Sequence, residues 1–134
     1  MKFLIDTHVF IWIFIEPHRF SAKARSFLED TDSNQFFLSD VSAWEGSIKF
    51  GLGKLKLPEK PELFFPDRVR QAGYRHLRID LNHVTRVHSL PQIHLDTFDR
   101  LLICQSKIEN LTIISDDSIF NLYKVNTLTL HDIS

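Results

Sequence analysis

Asp6 closes the apolar run Phe3-Leu4-Ile5, and Ser115-Asp116-Asp117 follow the apolar run Leu111 to Ile114 in the same way. If both runs are neighbouring parallel strands, their terminal acids emerge on one sheet edge, where open α/β sheets gather their ligands. Glu45 lies four residues after Val41 and three before Ile48. That spacing predicts that it projects into a core-facing stripe of Val41, Trp44, Ile48 and Leu52. Asp99 precedes Leu102 and Ile103 by three and four residues, on or beside the apolar side of its own helix. A carboxylate on a buried face is expensive unless it is paired or coordinates a cation. No Lys or Arg in these stretches is taken as the counter-ion, and like charges so crowded raise one another's pKa unless a cation is present. Oxygen donors without Cys or His favour Mg²⁺ or Mn²⁺ over Zn²⁺. The chemistry that suits such a site is phosphodiester cleavage, in which metal ions activate a water and stabilise the attacking and leaving oxygens.

Each acid also has a plainer role. Asp6 is a good N-cap, Ser42 and Glu45 have capping-box spacing, and Asp96 with Asp99 suits the first turn of a helix. One of Asp116 and Asp117 is expected in a turn. These roles account for the acids singly but not for their convergence.

The elements that must position them follow from the pattern. After the first strand come helices over Val9 to Ile15 and Ala22 to Leu28, the second capped by Ser21, then a strand Phe36-Phe37-Leu38. Ser39 or Asp40 starts a helix that runs to about Phe50 and closes at Gly51 and Gly53. Lys54 to Pro58 is an extended linker, and Pro61 to Ala72 a helix that Pro66 should break or divide. Tyr74 to Ile79 alternates as an edge strand, Asn82 to Leu90 is a short helix, and Asp96 or Thr97 opens a longer one to about Asn110. A fourth strand over Leu111 to Ile114, a helical turn over Ser118 to Tyr123 and a last strand over Thr127 to Leu130 complete the chain. Strands alternating with helices, without hairpin signals, imply a three-layer α/β/α fold around a parallel sheet of about five strands. A single domain over residues 1–134 is expected.

Hydrophobic content of 43% and charged content of 25% are those of a globular chain. Twelve Phe suggest an aromatic core or an apolar association face. Sixteen basic against seventeen acidic residues exclude nucleic-acid binding by bulk positive charge, though not a local basic rim. The lone Cys104 cannot make an internal disulfide and reads as a buried, inert thiol. The start of the chain lacks the features of a signal peptide, and Val9 to Ile15 is far shorter than the roughly 20 residues of a membrane span. A soluble, cytoplasmic protein with no membrane partner is expected.

Four stretches now carry a resemblance. They are Leu4-Ile5-Asp6-Thr7-His8; Ser42-Ala43-Trp44-Glu45-Gly46-Ser47-Ile48-Lys49 with Leu52-Gly53-Lys54-Leu55; His94 to Ile103; and Ile113-Ile114-Ser115-Asp116-Asp117. In order and spacing they resemble the PIN-domain family, in particular VapC-like toxins of toxin–antitoxin pairs. The resemblance implies a PIN fold and a Mg²⁺- or Mn²⁺-dependent ribonuclease. Asp6 and Asp99 are then the primary metal ligands, with Glu45 and Asp117 completing the site directly or through water. Asp96, Asp116, Ser115 and Thr7 are secondary positions, and His8 and His94 flank the acids as hydrogen-bonding neighbours. The family's arginine after the fourth strand is replaced here by an acid, which leaves Asp116 and Asp117 as alternatives for the fourth corner. Arg100, Lys49, Lys54 and Lys56 are candidate contacts to RNA phosphates. A homodimer and a small antitoxin are the implied partners, with the Val9–Ile15 helix and Phe64-Phe65 as surfaces or as core. Two competing readings remain. One is a non-catalytic PIN domain that only binds RNA or protein. The other is a phosphohydrolase with Asp6 as nucleophile, which the absence of a second acid at position 8 disfavours.

Overall fold

Strand β1 (Lys2–Ile5) lies at the centre of an all-parallel sheet of five strands. In the computed structural model, which describes residues 1–94 and 96–134, the order is β3 (Arg75–Leu77), β2 (Gln35–Ser39), β1, β4 (Thr112–Ile114), β5 (Thr127–Leu128). Leu95, within the third stretch compared above, lies outside the described residues. Registers Leu4–Phe37 and Leu4–Ile113 place β1 between two apolar neighbours. Successive side chains of β1 enter different cores. Phe3 and Ile5 pack with α1 (Thr7–Ile15), α2 (Ala22–Glu29) and α4 (Pro61–Ala72), while Leu4 packs with α6 (Thr97–Glu109) and the 3₁₀ turn Ser118–Tyr123. A strand covered on both faces has no polar side to show, which is why it reads as an unbroken apolar run.

The strand order sets the site. The chain builds β1, β2 and β3 in one direction and then returns to place β4 and β5 on the other side of β1. The reversal falls between β1 and β4, and a crevice at such a switch point is where this architecture binds ligands. Asp6 and Ser115 leave the sheet there, and the Asp6 N–H still donates to the Ile114 carbonyl at 3.0 Å.

Helix ends follow local chemistry. Ser21 accepts from the Ala24 N–H at 3.0 Å and Asp96 from the Asp99 N–H at 2.9 Å, satisfying donors that a first turn leaves unpaired. Gly73 closes α4 at φ 72°, a left-handed conformation that costs glycine little.

Three expectations change, and one alternative, that Phe64-Phe65 is core, is decided. Helix α4 runs unbroken through Pro66; Pro66 and Glu62 both lie on the exposed side, so the carbonyl that loses its donor is open to water. The segment predicted as one helix to Leu90 divides into α5 (Leu81–Thr85) and a 3₁₀ turn Val87–Ser89. Phe64 and Phe65 are core residues, edge-on to each other at 5.2 Å. Finally, α3 (Asp40–Gly51) turns Val41, Ser42, Glu45 and Gly46 inward and leaves Trp44, Ile48 and Leu52 exposed. Of the apolar stripe only Val41 is buried; its other members mark the outer side of α3, and Ser42 and Gly46 join Val41 and Glu45 on the inner side.

Gly46 shows why. A Cβ there would stand 2.4 Å from Cζ of the buried Phe65 ring, so α3 and α4 meet at a distance only glycine permits. Gly46→Ala should destabilise the fold by about 1–3 kcal/mol through overpacking. In urea this appears as a lower midpoint with an unchanged slope; an unchanged midpoint would count against the packing described here.

Candidate metal centre

Asp6 is the hinge of the site. It ends β1, caps α1 and is 6% exposed. Its Oδ1 accepts the Thr7 N–H at 2.8 Å and its Oδ2 accepts the Ser115 hydroxyl at 2.7 Å. Burial pushes its carboxyl above the ordinary carboxylate range; the Ser115 hydroxyl, His8 and the Thr7 N–H oppose this, and Glu45 adds to it. Capping and convergence thus coexist in one side chain. Thr7 extends the arrangement, since its hydroxyl donates to Ser42 Oγ at 2.9 Å and fixes the start of α1 against α3.

Glu45 comes from α3 and is 5% exposed, although not through the stripe that predicted it. The capping box with Ser42 does not form, because Ser39 caps α3 and Ser42 lies within the helix. Lys49, one turn on, places its ammonium 2.6 Å from Glu45 Oε2. The absence of an internal counter-ion is therefore corrected at this corner, and Lys49 is committed to an acid rather than standing as a free phosphate contact.

Asp99 enters from the first turn of α6. Burial and then Asp96 push its carboxyl up to about 7, with Asp6 and Glu45 adding to the rise and the hydrogen bond from His94 opposing it. His94 Nε2 lies 3.0 Å from Asp99 Oδ2. Asp6, Glu45 and Asp99 therefore share one electrostatic environment although they come from three different elements. His94, Asp96 and Asp99 also offer donor atoms within 4.8 Å of one another, which adds an imidazole nitrogen to a set expected to contain oxygen alone.

Asp116 and Asp117 line the same cavity as Asp6, about 290 Å³ in volume. Asp116 Oδ1 accepts the Leu130 N–H at 3.0 Å, and Asp117 Oδ1 accepts the Ile119 N–H at 3.0 Å as the cap of the following turn. Each keeps its second oxygen. Ser115 distinguishes them, because its Oγ accepts the Asp117 N–H at 2.9 Å while donating to Asp6. The loop is thus tied to Asp6 through Ser115 with Asp117 next to the tie.

Of the predicted phosphate contacts, Lys54 and Lys56 are exposed on the loop after α3. Arg100 is not such a contact. It is 6% exposed, and its guanidinium donates to the carbonyls of Pro91 at 2.8 Å, His94 at 3.2 Å and Val87 at 3.2 Å, and to the Tyr123 hydroxyl at 3.3 Å. An arginine next to a site acid reads from sequence as a rim cation, yet here it fastens the preceding segment. A groove of about 770 Å³ between α3 and α4 is mainly apolar and contains Asp40, Glu62 and His76 but none of the converging acids. No helix among the described residues is long and apolar enough to cross a membrane.

The donor set suits a hard divalent cation. Buried carboxylates that hold their protons to unusually high pH without a cation are groups that a cation would ionise.

Comparison with known proteins gives the same direction. Residues 3–126 match the family model described as PIN domain. A curated relative, "Ribonuclease VapC16" of Mycobacterium tuberculosis (strain ATCC 25618 / H37Rv), is 37% identical over 73 residues, covering 50% of this chain and 52% of that relative. The alignment thus spans about half the length of that protein. VapBC2 from Rickettsia felis, solved with a DNA fragment from its promoter, superposes with a TM-score of 0.71 at 14% identity, covering 96% of this chain and 98% of that one. DNA-bound VapBC from Salmonella typhimurium gives 0.73 at 12% identity, with 97% and 98% covered. FitAcB from Neisseria gonorrhoeae gives 0.61 at 21% identity, with 98% and 99% covered. At these identities the likeness establishes the fold.

Proposed function

This chain belongs to the PIN domain family, and from that premise we propose that it is a Mg²⁺- or Mn²⁺-dependent ribonuclease serving as the toxin of a toxin–antitoxin pair. The observation that carries the reading is the meeting of Asp6, Glu45 and Asp99 in one poorly solvated place, where mutual repulsion and burial raise two of the carboxyls. A bound divalent cation there supplies an activated water and neutralises charge at the phosphate under attack.

The chain's own residues do the rest. Asp6 and Asp99 would hold the cation, and Glu45 and Asp117 would complete its surroundings directly or through water. Glu45 would orient the attacking water and accept its proton, with the Lys49 ammonium 2.6 Å from its Oε2. Ser115 and Thr7 fix the orientation of Asp6 and of the α1–α3 junction. Asp96 holds the first turn of α6, and His94 holds Asp99. Asp116 anchors the loop on the far side of Asp6. Lys54 and Lys56 are left as rim contacts to the RNA backbone, which needs charge rather than sequence reading.

The test is incubation of the purified protein with a total RNA pool and either ion, with mapping of the cut ends. Cleavage should require the ion and stop on chelation. Cleavage that persists in excess chelator would sink the metal-dependent reading. A small antitoxin belongs to the same proposal, supported by the likeness to VapBC structures, and a homodimer is proposed with it. A monomer mass by sedimentation at micromolar concentration would count against the dimer.

A further inference from the structure

Next to the acids stands a second line of side chains that the metal chemistry leaves unused. The cavity containing Asp6, Asp116 and Asp117 is completed by His8, Val9 and Trp12 of α1. His8 and Trp12 are one helical turn apart and therefore share a face; their ring centroids lie 6.0 Å apart, tilted by 47°. Beyond them the guanidinium carbon of Arg19 sits 4.3 Å from the centroid of a Trp12 ring. Glu16 steadies it, with Oε2 3.3 Å from Arg19 Nε. The side chains run outward from Asp6 as imidazole, indole and guanidinium.

Trp12 packs against the core but is not enclosed by it. Phe10, two residues before Trp12, is fully buried, whereas Trp12 is half-buried and both His8 and Arg19 are exposed. Val9 to Ile15 carries no charge at all; His8 stands in the first turn of α1 and Arg19 in the 3₁₀ turn Pro17–Arg19 that follows it. A polyanion approaching Asp6, Asp116 and Asp117 also needs positive charge nearby. Two of the basic residues that sequence alone would assign to this task are engaged elsewhere, Arg100 with carbonyls and Lys49 with Glu45.

We propose that His8, Trp12 and Arg19 form a nucleotide subsite for single-stranded RNA. It accepts one unstacked base against the part of Trp12 that lines the cavity, and the adjoining phosphate between Arg19 and His8. The proposal rests on the ribonuclease reading above and names the form of RNA that it takes. Unpaired bases stack on aromatic rings and on guanidinium planes, and every base has a face to offer, so the subsite selects strandedness more than sequence. A duplex keeps its base faces covered and gains only the phosphate contact.

Trp12 can report on its own occupancy. The chain has two tryptophans, so Trp44→Phe in an Asp99→Asn background leaves Trp12 as the sole tryptophan, excited selectively over the tyrosines, in a protein that binds without cutting. A short single-stranded oligoribonucleotide should quench its emission, and the same strand with abasic riboses should bind without quenching. Arg19→Gln should weaken binding about tenfold and reduce the salt slope by about 1. In the active protein, Trp12→Ala should raise KM about tenfold with kcat within about twofold. Trp12→Phe, which keeps the packing, should lie between. Binding by labelled-RNA anisotropy with unchanged Trp12 emission, together with an unchanged KM in Trp12→Ala, would overturn the subsite and leave the nuclease standing. Neither binding nor cleavage of RNA by the parent protein with Mg²⁺ or Mn²⁺ would overturn both.

Discussion

Asp6→Asn should reduce metal-dependent RNA cleavage by at least about 10³-fold while leaving the protein folded, and Asp99→Asn should do the same. The loss follows from the role assigned to the pair, since a cation contributes several kcal/mol of transition-state charge stabilisation and each 1.36 kcal/mol is about tenfold in rate. Survival of the fold follows from the structure. Asn keeps one oxygen to accept the Thr7 N–H, and its amide NH2, in place of Oδ2, can donate to the Ser115 oxygen, so capping is retained while the charge is lost. Circular dichroism and a urea titration establish folding, and cleavage of a mapped substrate gives the rate. Parent-like cleavage by both variants would refute the assignment.

The same variants carry a stability signature that a structural acid would not show. Asp99 has an ordinary value of 3.8 that the fold raises to about 7. Between those values the metal-free native state holds a proton that the unfolded chain has released. Stability therefore falls as pH rises from about 4 to about 7 and is level above that. Asn imitates the protonated form, so Asp99→Asn should be more stable than the parent at pH 8 by about 1–3 kcal/mol in chelator, with the difference closing below about pH 4. Saturating Mg²⁺ should reverse the order, because an ion bound only by the native parent stabilises it by mass action. Denaturant midpoints at both pH values, with and without the ion, check the sign. A parent that is more stable than the variant in chelator at pH 8 would contradict it.

Asp6 and the pair Asp116-Asp117 were legible because a strand buried on both faces leaves an unbroken apolar run, and acids that directly follow such a run stand at the sheet edge. The parallel architecture was legible for a related reason, since alternating strands and helices with no tight turns admit few other arrangements. Glu45 was found for a reason that did not hold. Periodicity ranks helix faces by hydrophobicity, but α3 approaches α4 so closely at Gly46 that small residues join Val41 and Glu45 on its inner side, while Trp44 packs edge-on against Phe98 at 4.8 Å. Contact distance between helices is a tertiary property, and no spacing along α3 encodes it. The links made by Ser115, Thr7 and His94 depend on side chains that meet across 109, 35 and 5 positions of sequence. Only the last is local enough to be sought in a pattern, and the first two depend on the sheet order.

Arg100→Met should destabilise the protein by about 3–5 kcal/mol, a large share of the roughly 5–15 kcal/mol that holds a domain of this kind together. The cost comes from what is left behind. One guanidinium serves carbonyls of Val87, Pro91 and His94 and the Tyr123 hydroxyl, and buried acceptors that lose their donor incur their full desolvation penalty. Tyr123 cannot substitute, because its hydroxyl already donates to the His94 carbonyl at 3.0 Å and accepts the His94 N–H at 2.8 Å. Arg100→Lys should recover part of the loss, since an ammonium has fewer donors and no planar fork. The effect should reach the site, because the segment that Arg100 fastens ends at His94, which holds Asp99. Arg100→Lys should therefore lower kcat several-fold under conditions where it remains folded, with the salt dependence of RNA binding unchanged. A phosphate contact makes the opposite pattern, with parent-like stability and a salt slope reduced by about 1. Urea midpoints and a salt titration of RNA binding separate the two, and the second pattern would return Arg100 to the rim.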